Sequence, residues 1–427
     1  MNEIHNLIPG GAHTYSRGDD QYPLNAPPLL SHGQGCYVWD ADGRKFLDYG
    51  MALRAVTVGY GYEPIANAAI EEIRKGNNLT RASVTELKAA KTLTEIIPGA
   101  EMVKFAKNGS TVTTAAVKLA RAFTGRKYVA LCAQHPFFSY DDWFIGTTVM
   151  NKGVPEEITA LSLKFNFNDL PSLEKLFNEH PGQIAAVILE PATNIGPKDN
   201  FLHKVQDLCK KNKTVFILDE MITGFRWHLS GAQKYFNITA DLSTFGKGMA
   251  NGFSVAALVG KREIMNIGGI LDESQERVFL ISTTHGAEMC GLGALNKTIE
   301  VYKELDVVGQ LWKYGEKLIS EGNKIANELG IADYFFFEGY PCSPGYVTKD
   351  KTGKVSLELR TLFSQEMLKE GVLIPWIALC YSHSEKELEI TLGALRKALK
   401  VYSLALEDGV EKYLLGRPIK PVFRKMN

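Results

Sequence analysis

The sequence predicts an α/β fold with a large domain built on a mainly parallel central sheet and a small α+β domain formed by both chain ends. The chain has 427 residues, too many for one small core. Its middle third alternates continuous apolar runs with amphipathic segments, which is typical of a parallel sheet covered by helices on both faces. Long helical patterns dominate after about residue 290.

The first hundred residues predict a hairpin and two helices. Residues 35–49 place an Asp42-Gly43 turn between two short apolar runs, which is a hairpin signal. Residues 63–75 and 84–97 have helical patterns. No internal repeat or low-complexity tract interrupts the chain.

Strands and helices alternate between about residues 101 and 260. Short apolar runs predict buried strands at 127–132, 184–189 and 214–218. Between and before them, apolar residues at helical spacing predict helices at 111–123, 172–178 and 201–211.

The last third predicts a second region with a different pattern. Helical stretches occupy 291–327 and 385–407, and short strands are expected near 335–348 and 371–375. We therefore divide the chain into a large domain at 61–304 and a small domain made of 1–60 with 305–427.

Composition excludes several classes of function. Lys+Arg and Asp+Glu both number 48, so no basic excess points to nucleic acid or to an anionic membrane. No apolar run approaches the roughly 18 residues that span a bilayer, and the first residues lack the pattern of a secretory signal. The six cysteines are scattered, with no CxxC pair, which favours reduced thiols in a cytoplasmic protein, and the nine histidines have no metal-ligand spacing.

Asp219 follows the apolar run Val215–Leu218, at the carboxyl end of a predicted buried strand. In open α/β sheets this end is where ligands bind. A buried carboxylate needs a cationic partner, and the pyridinium nitrogen of a cofactor is one such partner. The simpler alternative, an aspartate that caps the following turn, is equally compatible with this segment alone.

Lys247 lies between Gly246 and Gly248 in an otherwise apolar stretch. Glycine allows close approach of backbone to a ligand, and a desolvated lysine becomes a nucleophile toward carbonyls. A surface-loop lysine is the simpler alternative for an isolated residue. An acid at a strand end, followed 28 positions later by a glycine-flanked lysine, is however the recurring layout of pyridoxal-phosphate (PLP) sites.

Two further segments are candidate ligand contacts. Asn108-Gly109-Ser110 precedes the helix at 111–123, where free N–H groups and the helix dipole suit a phosphate; a plain N-cap is the alternative. Glu190 follows the strand at 184–189. It is expected either to lie near the cofactor or to act as a structural cap.

Taken together, these segments resemble class III aminotransferases, with the branch of glutamate-1-semialdehyde 2,1-aminomutase as the best match. The resemblance runs from about residue 8 to 400 in the right order. The motifs that carry it are Asn-Gly-Ser before a helix, Leu-Glu-Pro, Leu-Asp-Glu-Met-Ile-Thr-Gly-Phe-Arg, Phe-Gly-Lys-Gly-Met-Ala-Asn-Gly and Ser-Thr-Thr-His-Gly-Ala-Glu.

The resemblance implies a fold-type I PLP enzyme. Lys247 would hold the cofactor as an internal aldimine, and Asp219 would pair with the pyridine nitrogen so that the ring acts as an electron sink. Gly109 and Ser110 would bind the phosphate, and Thr283 resembles the threonine that the partner subunit sends to it. A homodimer with active sites at the subunit interface is therefore expected.

Some segments depart from the family pattern. The Tyr-His-Gly segment that normally stacks on the ring reads Gln134–Phe138 here; His135 aligns best by counting, and Phe137 is the alternative. Ala52-Leu53-Arg54 replaces the aminomutase's Ser-Trp-Gly, so the aminomutase substrate does not follow. Arg17, which resembles the position that reads the aminomutase substrate's carboxylate, and Arg54 are the candidate substrate contacts, with ordinary ion pairs as the alternative.

The predicted function is PLP-dependent transamination from an amino donor to a keto acid, keto-sugar or cyclic ketone. L-glutamate is the first candidate donor. Lys247 would remove the α-proton of the substrate and deliver a proton to the cofactor carbon. The alternative is an intramolecular aminomutase, which would consume no external donor. A non-catalytic member of the fold is a third hypothesis, which the presence of both Lys247 and Asp219 disfavours.

Overall fold

A computed structural model describes residues 2–274 and 276–426 of the chain. Its strands are β1 (Leu30–Gln34), β2 (Tyr37–Asp40), β3 (Lys45–Asp48), β4 (Met102–Ala106), β5 (Tyr128–Cys132), β6 (Ser162–Phe165), β7 (Ile184–Leu189), β8 (Val215–Asp219), β9 (Leu242–Phe245), β10 (Ala256–Gly260), β11 (Phe335–Tyr340), β12 (Ser343–Thr348) and β13 (Val372–Leu373). Its helices are α1 (Asn2–Leu7), α2 (Met51–Arg54), α3 (Glu63–Arg74), α4 (Val84–Ile96), α5 (Gly109–Thr124), α6 (Asp142–Ile145), α7 (Glu156–Thr159), α8 (Leu170–Glu179), α9 (Phe201–Lys211), α10 (Ala232–Tyr235), α11 (Arg262–Met265), α12 (Met289–Leu305), α13 (Val307–Glu328), α14 (Leu357–Lys369) and α15 (Glu385–Asp408).

The chain divides into two compact units. Unit 1 contains Met1–Tyr62 and Gly309–Asn427, and unit 2 contains Glu63–Val308. The sequence placed the divisions at 60/61 and 304/305. No helix in the described ranges is long and apolar enough to cross a membrane.

Unit 2 is built on a seven-stranded sheet in the order β4-β10-β9-β8-β7-β5-β6. The pairs from β9 through β8, β7 and β5 to β6 are parallel, and β10 runs antiparallel to both β9 and β4. Every residue of β7 and β8 is buried, so these strands carry apolar side chains on both faces. The mainly parallel sheet expected from the sequence is confirmed.

Helix α5 shows how the sequence sets the elements around this sheet. Asn108 caps its first turn, because its side-chain oxygen accepts a hydrogen bond from Thr111 N at 2.9 Å. Gly125 ends the helix in the left-handed conformation, with φ +67°. Between the caps an apolar stripe that includes Val112, Ala116 and Leu119 is buried, and the helix packs on β7, β9 and β10.

Unit 1 contains the sheet β1-β2-β3-β13 and the hairpin β11–β12. The predicted turn joins β2 to β3: the Asp40 carboxylate accepts hydrogen bonds from Asp42 N and Arg44 N, and Gly43 has φ +81°. Helix α15 begins at a capping box between Ser384 and Glu387.

Helix α2 is a single left-handed turn. Met51, Ala52, Leu53 and Arg54 have φ of +39°, +48°, +63° and +67°. Each L-residue in this conformation costs roughly 1–2 kcal/mol, so neighbouring groups must hold the turn. The buried Asp48 carboxylate does so by accepting hydrogen bonds from Gly50 N at 2.6 Å and Met51 N at 3.1 Å, and burial raises the pKa of Asp48.

Three details differ from the sequence-based expectation. The stretch 291–327 is two helices, α12 and α13, because Asp306 between them is left-handed at φ +45°. Strands β6, β9 and β10 were not predicted, since polar residues interrupt β6 and β9 and β10 is rich in alanine and glycine. The left-handed turn at 51–54 was also missed, because no glycine marks it.

Candidate active site

Four predicted site residues lie at one edge of the unit 2 sheet. His135, Glu190, Asp219 and Lys247 follow the carboxyl ends of β5, β7, β8 and β9, which are neighbours in the sheet. Parallel strands end at the same edge, so the topology brings together residues that span more than a hundred positions of sequence.

Asp219 is a buried carboxylate at this edge, and its pKa is raised. Its side chain is 3% exposed, and Oδ1 accepts hydrogen bonds from Thr244 Oγ1 and Met221 N, both at 3.0 Å. Burial raises the pKa of Asp219 to about 6, although the Met221 amide, the positive charge of Lys247 and the Thr244 hydroxyl act in the opposite direction. A carboxylate desolvated in this way is stabilised by a cationic partner.

Glu220, the next residue, has a structural environment instead. Its carboxylate accepts hydrogen bonds from Thr223 Oγ1 at 2.6 Å, Ala232 N at 2.7 Å and Gln233 N at 2.8 Å. It therefore ties the loop after β8 to the start of α10. Burial raises the pKa of Glu220 to about 7. Asp219 and Glu220 are therefore adjacent buried acids with different surroundings, because Asp219 also interacts with the positive charge of Lys247.

The backbone at Lys247 is unusual. Gly246 is extended, and Lys247 takes the left-handed conformation with φ +45°. Tyr302 Oη donates a hydrogen bond to Gly248 O at 3.1 Å, which fixes the short helical turn at 247–250 against α12. Non-glycine residues in this conformation cost about 1–3 kcal/mol, and such strain concentrates at functional sites.

Met221 shows that three site segments converge. A Cβ on Gly109 would lie 3.0 Å from Met221 Sδ, and a Cβ on Gly246 would lie 2.7 Å from the same atom. The start of α5, the loop after β8 and the segment before Lys247 therefore meet around one side chain. A side chain at either position would have to push that thioether aside.

Ser110 lies in the first turn of α5 and is 5% exposed. Its Oγ accepts a hydrogen bond from Tyr140 N at 3.0 Å, and its hydroxyl proton remains available to an acceptor. A helix N-terminus with a hydroxyl at its second position offers donors to an anion.

His135 is buried at 4% exposure, and Glu190 N donates a hydrogen bond to its Nδ1 at 2.9 Å. The neutral ring therefore carries its proton on Nε2, which has no hydrogen-bond partner among the described residues. Burial lowers the pKa of His135 to about 4. Phe137, the alternative ring contact, is 46% exposed.

Thr283 belongs to an exposed irregular segment that leads into α12. The segment is anchored at its end, where Lys107 Nζ pairs with Glu288 Oε2 at 2.5 Å and Asn77 Nδ2 donates to Glu288 Oε1 at 2.8 Å. Lys107 immediately precedes the Asn108 cap, so this ion pair ties the start of α5 to the end of the Thr283 segment.

Sequence reasoning missed Met221, Thr244 and Lys107. Thr244 pairs with Asp219 across β8 and β9, so only the strand register reveals it. Met221, two residues after Asp219, carried no chemical signal of its own. Lys107 adjoins a recognised motif, and that adjacency was the one available hint.

The two predicted substrate residues belong to unit 1. Arg17 ends a short helical turn at Tyr15–Arg17, and its side chain is exposed. Arg54 ends the left-handed turn α2.

Comparison with known proteins gives the family. The family model for aminotransferase class-III matches residues 20–333. The chain belongs to the class III aminotransferases. It is 32% identical over 409 residues to a 3-aminobutyryl-CoA aminotransferase of Cloacimonas acidaminovorans, covering 93% of this chain and 95% of that protein. It is 31% identical to a glutamate-1-semialdehyde 2,1-aminomutase of Aquifex aeolicus, with coverage of 92% and 97%.

The fold agrees with a solved structure. The PLP internal aldimine form of the FumI protein from Sphingopyxis sp. MTA144 superposes with a TM-score of 0.86 at 24% identity, covering 98% of this chain and 97% of that one. The fold-type I assignment is thereby confirmed. Class III aminotransferases are PLP-dependent, so this chain is a PLP-dependent enzyme.

The residues of the sheet edge fit this cofactor. The desolvated Asp219 carboxylate suits a protonated ring nitrogen, and Lys247 supplies an amine for the cofactor aldehyde. Ser110 and the start of α5 suit a phosphate, and the unpartnered Nε2–H of His135 offers one more donor.

Proposed function

We propose that this class III aminotransferase moves an amino group from a donor to a carbonyl acceptor such as a keto acid, keto-sugar or cyclic ketone. L-glutamate is the first candidate donor. One observation carries the proposal: a buried Asp219, with its pKa raised to about 6, lies within electrostatic reach of Lys247 at neighbouring strand ends. An acid that needs a cation and an amine that can act as a nucleophile are the two groups that amino transfer requires.

Bound PLP supplies an electron sink that stabilises negative charge at the substrate carbon. Asp219 would hold a proton on the ring nitrogen by its negative charge. Lys247 would hold the cofactor through its ε-amine and, once displaced by the substrate amine, would move the proton from the substrate carbon that bears the amine to the cofactor carbon.

The remaining contacts are proposed from their places in unit 2. Gly109 and Ser110 bind the phosphate at the start of α5. Glu190 and His135 lie beside the ring, joined by the hydrogen bond from Glu190 N to Nδ1. His135 is the proposed ring contact, since its buried Nε2–H has no partner among the described residues; the exposed Phe137 is the alternative stacking residue.

We propose that two copies form a homodimer with active sites at the interface. Thr283 is exposed, as a residue that reaches a partner's phosphate must be. Ile73, Leu79, Val84 and Leu87 expose 51–86% of their apolar side chains on and beside α3 and α4. Burial of such a patch against a second copy would be favourable. Six cysteines without a disulfide agree with the reducing cytoplasm as its compartment.

Arg17 and Arg54 are the proposed substrate contacts, and intermolecular transfer is the proposed reaction. Ala52-Leu53-Arg54 stands where the aminomutase branch has Ser-Trp-Gly, and a relative at 32% identity bears the name of an aminotransferase. The aminomutase remains the second candidate because relatives at 31% identity bear that name.

The absorbance spectrum of the purified enzyme, before and after L-glutamate, tests the proposal. We expect a visible cofactor band that moves to shorter wavelength with glutamate, and its loss in Lys247→Ala. Lys261→Ala is the matched control, since Lys261 pairs with Asp241 elsewhere in unit 2. A retained band in Lys247→Ala would contradict the lysine assignment.

Stoichiometry separates the two reactions. An aminotransferase consumes one external donor per product amine. Conversion of glutamate-1-semialdehyde with no donor consumed would favour the aminomutase instead.

A further inference from the structure

Unit 1 contains a cavity of about 470 Å³. All of its lining residues belong to that unit, and Asp219, Lys247, Gly109 and Ser110 are not among them. Cavities of 300–1,000 Å³ are the usual size for small-molecule ligands.

Three chain segments form much of the wall. The first runs from Tyr22 into β1 as far as Gly33, the second is the left-handed turn with Gly50, Ala52 and Leu53, and the third includes Leu373, Pro375 and Trp376. The second and third are joined by a hydrogen bond from Trp376 Nε1 to Gly50 O at 3.0 Å. Asp48 fixes the turn as described above, so the wall is a built feature of the unit.

Much of the wall is apolar and open. Leu24, Leu29 and Leu30 line the cavity with 57%, 54% and 48% of their surface exposed, and Leu53 and Trp376 also contribute. Three leucines open to water on one cavity wall leave apolar surface that a ligand can cover.

The charged groups of the wall are mostly paired. Arg417 Nη2 lies 3.6 Å from Asp19 Oδ2, and His5 Nε2 lies 3.2 Å from Asp19 Oδ1. The Asp48 carboxylate accepts hydrogen bonds from two backbone amides and, at 2.7 Å, from Tyr60 Oη. Arg17 makes no ion pair with any described residue, so its guanidinium is available to an anionic ligand.

We propose that this cavity receives the substrate's anionic group together with an extended apolar chain, and that the enzyme therefore acts on long-chain amino or keto monocarboxylates. The inference rests on the proposed function, because it names the substrate class of that reaction. Arg17 binds the carboxylate, since a guanidinium matches its planar geometry. Leu24, Leu29, Leu30 and Leu53 cover the chain.

A compact, polar substrate does not use this wall. Glutamate-1-semialdehyde has only two methylenes, too few to cover three half-exposed leucines, so its binding would leave most of their surface in contact with water. The substrate with a longer chain gains affinity from each methylene that the leucines cover.

Calorimetric titration of the PLP-loaded enzyme with octanoate and with butyrate tests the inference without any turnover. We expect octanoate to bind at least about 50-fold more tightly than butyrate, since each buried methylene contributes about fourfold (about 0.8 kcal/mol). Equal affinity for the two acids would overturn the proposal.

Two variants locate the binding. Arg17→Gln should weaken octanoate about 10-fold to 100-fold, while Arg17→Lys retains part of the affinity. Leu29→Ser should reduce the preference for octanoate over butyrate several-fold. Arg396→Gln, at an exposed arginine of unit 1 that does not line the cavity, is the matched control and should change nothing. Octanoate binding that is unaltered in both Arg17→Gln and Leu29→Ser would place the acid elsewhere and overturn the assignment.

Failure of the proposed function gives a different result. If no cofactor band forms or moves with amino donors while octanoate binds as expected, amino transfer is wrong and the cavity assignment stands. If the band responds to glutamate while octanoate binds no better than butyrate, amino transfer stands and the substrate class is wrong.

Discussion

The sheet edge of unit 2 and the left-handed turn of unit 1 hold their side chains in place by different means. Asp219 is the last residue of a fully buried strand, so the hydrogen bonds and packing of the whole sheet fix it. Ala52 and Leu53 belong to a turn of four left-handed residues, which hydrogen bonds from Gly50 N and Met51 N to one carboxylate, Asp48, help to hold. The sheet edge thus provides a rigid frame for chemistry that the family shares.

The difference indicates where specificity can change. A strand end cannot be altered without disturbing the sheet, whereas a short strained turn depends on a few local contacts and is open to substitution. We therefore expect substitutions at the sheet edge to change the rate of the reaction. Substitutions at the turn should change stability and substrate choice.

The largest expected effect separates Asp219 from its neighbour Glu220. Asp219→Asn should lower amino transfer by about 10²- to 10³-fold, because a neutral amide no longer holds the ring nitrogen protonated. It should leave the stability of the apoprotein unchanged or higher, since it removes a desolvated carboxylate.

Glu220→Gln should behave in the opposite way. One amide oxygen cannot serve three donors, so we expect a loss of about 1–3 kcal/mol in the free energy of unfolding. Rate measurements and denaturant titrations of both variants check this pair. Equal loss of stability in the two variants would refute the distinction between a cofactor carboxylate and a structural one.

A second effect concerns pH and His135. The folded pKa is about 4 and the ordinary value is 6.5, so the unfolded chain binds the proton first as pH falls. The contribution of neutral His135 is therefore present above pH 6.5 and lost toward pH 4, at up to about 1.4 kcal/mol per pH unit and roughly 3 kcal/mol in total.

His135→Gln should remove this slope while its side-chain oxygen still accepts the hydrogen bond from Glu190 N. Unfolding free energies of the apoprotein between pH 4 and 7 measure it. His203→Gln, at a partly exposed histidine, is the control and should keep the wild-type slope. A His135→Gln slope equal to that of the wild type would show that His135 does not stay neutral.

The smallest effect tests the strain of the turn. Ala52 has φ +48°, so Ala52→Gly should raise the free energy of unfolding by about 1 kcal/mol. Ala66→Gly, within the right-handed helix α3, should lower it by about the same amount. Calorimetry or denaturant titration of both variants decides the sign, and a loss of stability in Ala52→Gly would argue against a left-handed turn.

Much of unit 2 was predictable because its signals are local. The runs 184–189 and 201–211 match β7 and α9, since the first is an unbroken apolar run and the second has apolar residues at helical spacing. The Asp219 motif likewise lies at the end of a predicted strand. Strand β9 escaped notice because Ser243 and Thr244 interrupt its apolar residues, and β10 because it is rich in alanine and glycine.

The sequence by itself determined the mainly parallel sheet and the strand end that carries Asp219, because apolar runs and their spacing are local patterns. The class III family and the PLP cofactor followed from the resemblance of the motifs to that family, which the family model confirms. Tertiary structure alone decided that Thr244 bonds to Asp219, that Met221 joins Gly109 to Gly246, and that Asp48 holds a left-handed turn beside a cavity. Those contacts depend on strand register and on the approach of distant segments, which no local pattern of residues specifies.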